Sequence, residues 1–226
     1  MKYIITILGI IFFYLYALSC NAYTLSINNN TGENVSWPAG EINIYLDPSL
    51  EDISDNAYSI IEESFLEYLD YIERDITINF IYKECSPREE NCIIYDYQPT
   101  NNKFAYASWF FKWSTITNCS IHYSTLTDWN DTLLHQVSLH EVGHFFGLSH
   151  SEKSTAIMYA TINTQEPHLT IDDINGIIFL YGGDLLPEPE IIISEEKEEK
   201  HSGPYAPCCS INNNTNYIKS IFSLLF

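Results

Sequence analysis

The chain has 226 residues, of which 46% are hydrophobic, enough for one domain with a sizeable core plus extensions. Thirty Asp and Glu against ten Lys and Arg give a net charge of −20. That balance excludes a nucleic-acid partner, which needs a basic face, and electrostatic docking on anionic lipid.

In chain order, Lys2 followed by the apolar run Ile4 to Ala17 reads as an export signal, too short for a membrane span. Cys20-Asn21-Ala22 places small residues for cleavage after Ala22, which would make residues 1–22 a signal peptide and Tyr23 the mature end. Ala17-Leu18-Ser19-Cys20 offers a second reading, a degenerate lipobox with Cys20 as a lipid anchor, and a retained signal segment is a third. Export permits disulfides, and Cys85 with Cys92 brackets a short polar loop. Cys92 with Cys119 is the other pairing, and the odd number of cysteines after Ala22 leaves the connectivity open.

Glu41 to Leu46 alternates with period two and is predicted as a strand. From about Asp55 to Arg74, Ile61, Phe65, Leu69 and Ile72 recur at helical spacing, an amphipathic helix. Ile76 to Tyr82 alternates again, so the strand-helix-strand unit predicts a parallel crossover. Cys92 to Tyr95, Phe104 to Phe111 and Cys119 to Tyr123 are strand candidates between polar turns. Asp131 is placed to cap a helix whose buried side uses Leu134, Val137 and Val142. Thr170 with the acids Asp172 and Asp173 opens a last helix that ends near Gly182-Gly183. Residues 184–226 change composition, with Pro187-Glu188-Pro189-Glu190 and Glu195 to Lys200 reading as an acidic, solvated tail.

The chemistry concentrates in His140-Glu141-Val142-Gly143-His144-Phe145-Phe146-Gly147-Leu148-Ser149-His150. Residues i and i+4 share a helix face, so His140 and His144 can hold one metal. Gly147 is suited to end that helix, because glycine tolerates the left-handed turn, and the chain can then return His150 as a third ligand. Three protein nitrogens with one position open are the donor set of a catalytic zinc; a structural zinc is closed by a fourth residue. Glu141 adjoins the first ligand and is placed to act as a general base. Met158 follows eight residues after His150 in Ala156-Ile157-Met158-Tyr159.

The pattern H-E-x-x-H-x-x-G-x-x-H with a following Met-turn is similar to the metzincin zinc proteases. His150-Ser151, Ala156 to Tyr159, and Leu169-Thr170-Ile171-Asp172-Asp173 through Leu180-Tyr181-Gly182 resemble the matrixin (matrix metalloprotease) branch. The resemblance covers about residues 35 to 183. It implies an α+β, zincin-like catalytic domain (residues 23–183) with a twisted, mixed five-stranded sheet and three helices. It further implies a zinc endopeptidase acting on a protein or peptide substrate, with His140, His144 and His150 on zinc, Glu141 as base and Met158 as the floor. Phe104-Ala105-Tyr106-Ala107 resembles the edge strand that pairs with substrate; an ordinary sheet strand fits the same residues.

Two departures from the matrixin pattern carry expectations. No glycine lies between Gly40 and Gly143, and His122 is the single histidine between Tyr23 and Leu134. One catalytic zinc is therefore expected, without the family's structural zinc or calcium. No P-R-C-G switch appears, so latency through a cysteine on zinc is not expected. With the export segment removed, a secreted, monomeric enzyme with no membrane span in the mature chain is expected. A secreted binding module that keeps zinc for structure, and an adhesin working through its acidic tail, are the readings from other classes. Glu141 argues against the first, since a structural site needs no base.

Overall fold

The computed structural model describes residues 23–99, 103–162 and 167–186. The export segment, Cys20, the acidic tail beyond Leu186 and part of the loop after Met158 lie outside these residues. No helix among the described residues is long and apolar enough to cross a membrane.

Strand β1 (Thr24–Leu25) leads through a polar segment to β2 (Gly40–Leu46), a 3-10 turn (Pro48–Asp52) and helix α1 (Ala57–Leu69). Then come β3 (Ile76–Tyr82), β4 (Asn91–Tyr97), β5 (Ala105–Lys112) and β6 (Thr115–Ser124). Helix α2 (Asp131–Phe145), the short β7 (Leu148–Ser149) and helix α3 (Ile171–Tyr181) complete the chain. The main sheet has five strands in the order β3-β2-β4-β6-β5, and β1 pairs with β7 in a second, two-stranded sheet. β2 runs parallel to β3 and β4, β4 parallel to β6, and only β5 is antiparallel. This is the mixed sheet with three helices that the resemblance implies.

Period-two alternation in β2 buries Ile42, Ile44 and Leu46 and leaves Glu41 and Asn43 in solvent. On α1 the buried face is Ala57, Ile60, Ile61, Ser64, Phe65 and Tyr68. Phe65 meets Phe145 of α2 edge-on at 4.9 Å between ring centroids, locking the two helices together over one face of the sheet. α1 stops at Leu69 rather than reaching Arg74. Arg74 is recruited elsewhere: its guanidinium donates to Trp37 O and, at 2.8 Å, to Leu180 O, tying the entry to β2 to the end of α3.

The cap of α2 also differs from expectation. The side chain of Asn130 accepts from Leu133 N at 3.0 Å, whereas Asp131 accepts from Ser54 Oγ at 2.7 Å and Asn56 Nδ2 at 2.8 Å. Asp131 therefore docks the helix start onto the segment before α1, and its neighbour does the capping. Cys85 and Cys92 form a disulfide, and Cys119 is a free, buried thiol.

The end of α2 is held by residues distant in sequence. Its terminal carbonyls need donors from outside the helix. Trp37 Nε1 donates to Phe145 O at 2.9 Å, and Tyr181 Oη to Phe146 O at 2.7 Å. Ser26 N donates to Gly147 O at 2.9 Å. Gly147 has φ +96°, and a Cβ there would fall 2.4 Å from Val35 O, so both conformation and space require glycine.

Candidate metal centre and cleft

Helix α2 carries His140 and His144 on one face, and β7 delivers His150 beside them. The three histidines each offer a ring nitrogen, all within 4.8 Å of one another. His140 Nδ1 lies 2.7 Å from Ile157 O, and His144 Nδ1 lies 2.9 Å from Leu148 O. A carbonyl oxygen can only accept, so both Nδ1 atoms carry the proton and both Nε2 atoms present lone pairs. His144 Nε2 and His150 Nε2 are 3.3 Å apart. Two imidazole lone pairs at that distance are compatible with a cation between them, and neutral imidazoles with fixed outer hydrogen bonds are the form that ligates metal. The donor set fits a tetrahedral zinc with an open fourth position.

Burial keeps these rings neutral. It pushes His140 well below its ordinary range and His144 to about 4, with neighbouring histidines adding to both shifts. His150 is lowered too, first by burial and then by Lys103.

Glu141 is buried on the same helix turn, and its Oε2 has no hydrogen-bond partner. Burial raises its carboxyl to about 8, opposed by the Ala107 N–H that donates to it. That N–H belongs to β5, so the sequence-predicted edge segment does adjoin the histidine site. Phe104 precedes the strand, with its carbonyl accepting from Ser124 N at 2.7 Å. Ala105 is buried, while Tyr106 turns to the other side of the sheet.

Met158 is buried, with its Sδ 3.7 Å from Tyr68 Oη and packed against Gly143 of the histidine helix. The loop that carries it hangs on Asp173. One carboxylate accepts from Ile157 N at 3.0 Å, Met158 N at 2.9 Å and Thr170 N at 2.9 Å. Because Ile157 O receives the His140 Nδ1 proton and Met158 N–H of the same peptide donates to Asp173, the carboxylate orients His140 through a single peptide unit. The neighbouring Asp172 accepts from Ser151 Oγ at 2.6 Å and pairs with Lys153 Nζ at 3.4 Å, fixing the turn after His150. Sequence reading placed Asp173 in the cap of α3, where it does form a capping box with Thr170, but missed its hold on the loop.

His122 takes no part in this centre. Its Nδ1 lies 2.8 Å from Asp96 Oδ1, its Nε2 3.1 Å from Ser120 Oγ, and its ring stacks on Tyr106 at 4.5 Å. Both nitrogens are thus engaged by protein side chains.

The matrixin family model matches residues 48–182, more than half of the chain. Among curated proteins, Metalloendoproteinase 1-MMP of Arabidopsis thaliana is 35% identical over 71 residues, covering 30% of this chain and 18% of its own. Stromelysin-1 of Rattus norvegicus is 32% identical over 102 residues, covering 42% of this chain and 21% of its own. Matrix metalloproteinase-B of Caenorhabditis elegans is 28% identical over 146 residues, 50% of this chain and 28% of its own. The chain thus spans well under half the length of these relatives.

Proposed function

Since the chain belongs to the matrixin family, we propose that it is a zinc-dependent endopeptidase that cleaves peptide bonds of proteins, with residues 23–183 as its catalytic domain. The observation that carries this reading is the convergence of three neutral imidazoles with a buried, partly unsatisfied Glu141 next to an open sheet edge. His140, His144 and His150 would hold the zinc. When bound, zinc polarises a carbonyl and can lower the pKa of water to about 7.

The remaining work falls to the protein's own groups. Glu141 accepts the proton of the attacking water and delivers it to the departing nitrogen, so one carboxylate serves as base and then acid. Ala107 N–H keeps the Glu141 carboxylate pointed at the site. β5 is the sheet's edge strand, and an extended substrate can add to it through main-chain hydrogen bonds. Asp173 and Met158 hold His140 in place from behind.

We further read the enzyme as using one zinc per chain, because both nitrogens of His122 are engaged by Asp96 and Ser120. Secretion, with residues 1–22 removed, rests on the apolar N-terminal run and the small residues at Cys20 and Ala22; the acidic tail over 184–226 rests on composition, and a monomer is the state we propose. The test is cleavage of a mixed quenched-peptide library by the full mature chain, with and without a zinc chelator, beside Glu141→Ala. Chelator-sensitive cleavage that the variant lacks is expected. A folded, zinc-loaded chain that cleaves nothing would shift the reading to a zinc-containing binding module.

A further inference from the structure

The β5–β6 hairpin is unlike the rest of this acidic protein. No Asp or Glu occurs between Asp96 and Asp128, although the chain carries thirty acids. Instead the tip reads Trp109-Phe110-Phe111-Lys112-Trp113, with Phe110 53%, Phe111 42% and Trp113 69% exposed. Exposed aromatics on an open edge strand are an aggregation liability that proteins usually blunt with charge. Here acidic charge is withheld, Lys112 is the one charged residue of the tip, and the aromatic tip is held firmly.

Trp113 sits at φ +60°, a conformation that bulky residues rarely adopt. Asn28 Nδ2 donates to its carbonyl at 2.7 Å, and Ser36 N donates to Ser114 O at 3.0 Å, so the N-terminal segment pins the turn. A strained backbone kept in place by its surroundings directs attention to a use for the side chain it presents.

The strand's hydrogen-bonding direction indicates what that use is. Ser120 Oγ bonds to Ser108 O and Thr117 Oγ1 to Phe110 O, so these carbonyls face β6. By alternation, the main-chain groups of Ala107, Trp109 and Phe111 face the open side. The bulge at this point skips Thr117 of β6 and leaves β5 regular. Ala107 reaches Glu141, and the Trp109 ring lies nearly parallel to that of His144, with centroids 6.4 Å apart. One edge therefore runs without interruption from the histidine site to the aromatic tip.

We propose that Phe111 and Trp113 form an exosite that binds apolar side chains of the substrate four to six residues from the cleaved bond, on the side of the peptide lying along the outer half of β5. The proposal rests on the endopeptidase reading above. The spacing follows from a strand rise of about 3.3 Å per residue, which puts Phe111 about 13 Å beyond Ala107, with Trp113 just past the end of β5 in the turn. The occupant is an extended polypeptide, because only that can pair with the open edge and alternate its side chains onto these rings.

The experiment takes the best-cleaved short peptide, limited to about three residues on each side of the scissile bond. It is extended by six residues, first upstream and then downstream, with either Phe or Ala at the fourth and sixth positions from that bond. Wild type is expected to gain about tenfold in kcat/KM, mainly through KM, from the Phe extension on one side only, the scale of burying an aromatic side chain. Phe111→Ser and Trp113→Gly should each reduce that gain severalfold and leave short-peptide cleavage unchanged. Glycine accepts the left-handed turn, so Trp113→Gly should fold at least as well as wild type. No gain over the Ala extension, or a gain that survives both variants, overturns the exosite alone. Failure to cleave even the short peptide overturns the endopeptidase reading along with it.

Discussion

A methyl group on Gly143 would fall 2.2 Å from Met158 Sδ and 2.6 Å from Tyr68 Oη. The histidine helix and the loop beneath it therefore touch through a residue that has no side chain. Gly143→Ala forces Met158 or the helix to move, at a cost of about 1–3 kcal/mol for an overfilled core. We expect a melting temperature lowered by several degrees and weaker zinc retention, read by calorimetry and metal analysis. Unchanged values for both would mean that the loop gives way freely.

Asp173 serves the same loop by hydrogen bonds rather than contact. Asp173→Asn keeps the shape but replaces one acceptor oxygen with a donor, facing either the Met158 N–H or the Ile157 and Thr170 N–H groups. Each misdirected buried group costs about 1–3 kcal/mol. Zinc affinity should fall with stability, because Ile157 O orients His140. A variant as stable as wild type but with lost zinc would separate the two roles.

The pH dependence has a defined sign. His140 and His144 are held below their ordinary range, His144 at about 4, so both stay neutral where a free imidazole would protonate. Zinc should remain bound through pH 5.5 and be released only near pH 4, as gel filtration followed by metal analysis can show. In the metal-free chain, the unfolded state takes up protons between about pH 6.5 and 4 that the folded state does not. Stability contributed by these rings therefore falls as pH falls through that window. Release centred near pH 6.5 would contradict the burial argument.

Glu141 moves the other way, to about 8 in the metal-free protein. A nearby dication favours the carboxylate, so zinc loading should bring it down. The acidic limb of kcat/KM is expected well below pH 8. A limb that stays near 8 in the zinc-loaded enzyme would show that the carboxylate and the metal are not adjacent.

His122→Ala removes hydrogen bonds to Asp96 and Ser120 and the stacking surface of Tyr106. Tyr106 belongs to β5, so loosening it should raise KM more than it lowers kcat. The stability loss should be about 1–2 kcal/mol by denaturant titration, at about 1 kcal/mol per neutral hydrogen bond. Zinc content should stay at one per chain; a loss of a second equivalent would make His122 a ligand after all.

The sequence by itself determined what is local or periodic. Alternation in β2 and β3, the helical repeat of Ile61 and Phe65, and the close spacing of Cys85 and Cys92 made the crossover and the short disulfide loop legible. The spacing of His140, His144 and His150 likewise pointed to one centre, because an i, i+4 pair and a glycine turn need few long-range contacts to be brought together. Tertiary structure decided everything that depends on a partner far along the chain. The α2 cap went to Asn130 because Asp131 found Ser54 and Asn56. The terminal carbonyls of α2 were satisfied by Trp37 and Tyr181, and His140 was oriented by Asp173 sixteen residues beyond Ile157. Such pairings follow from which surfaces the fold brings together, and polar groups take the partner that burial leaves within reach.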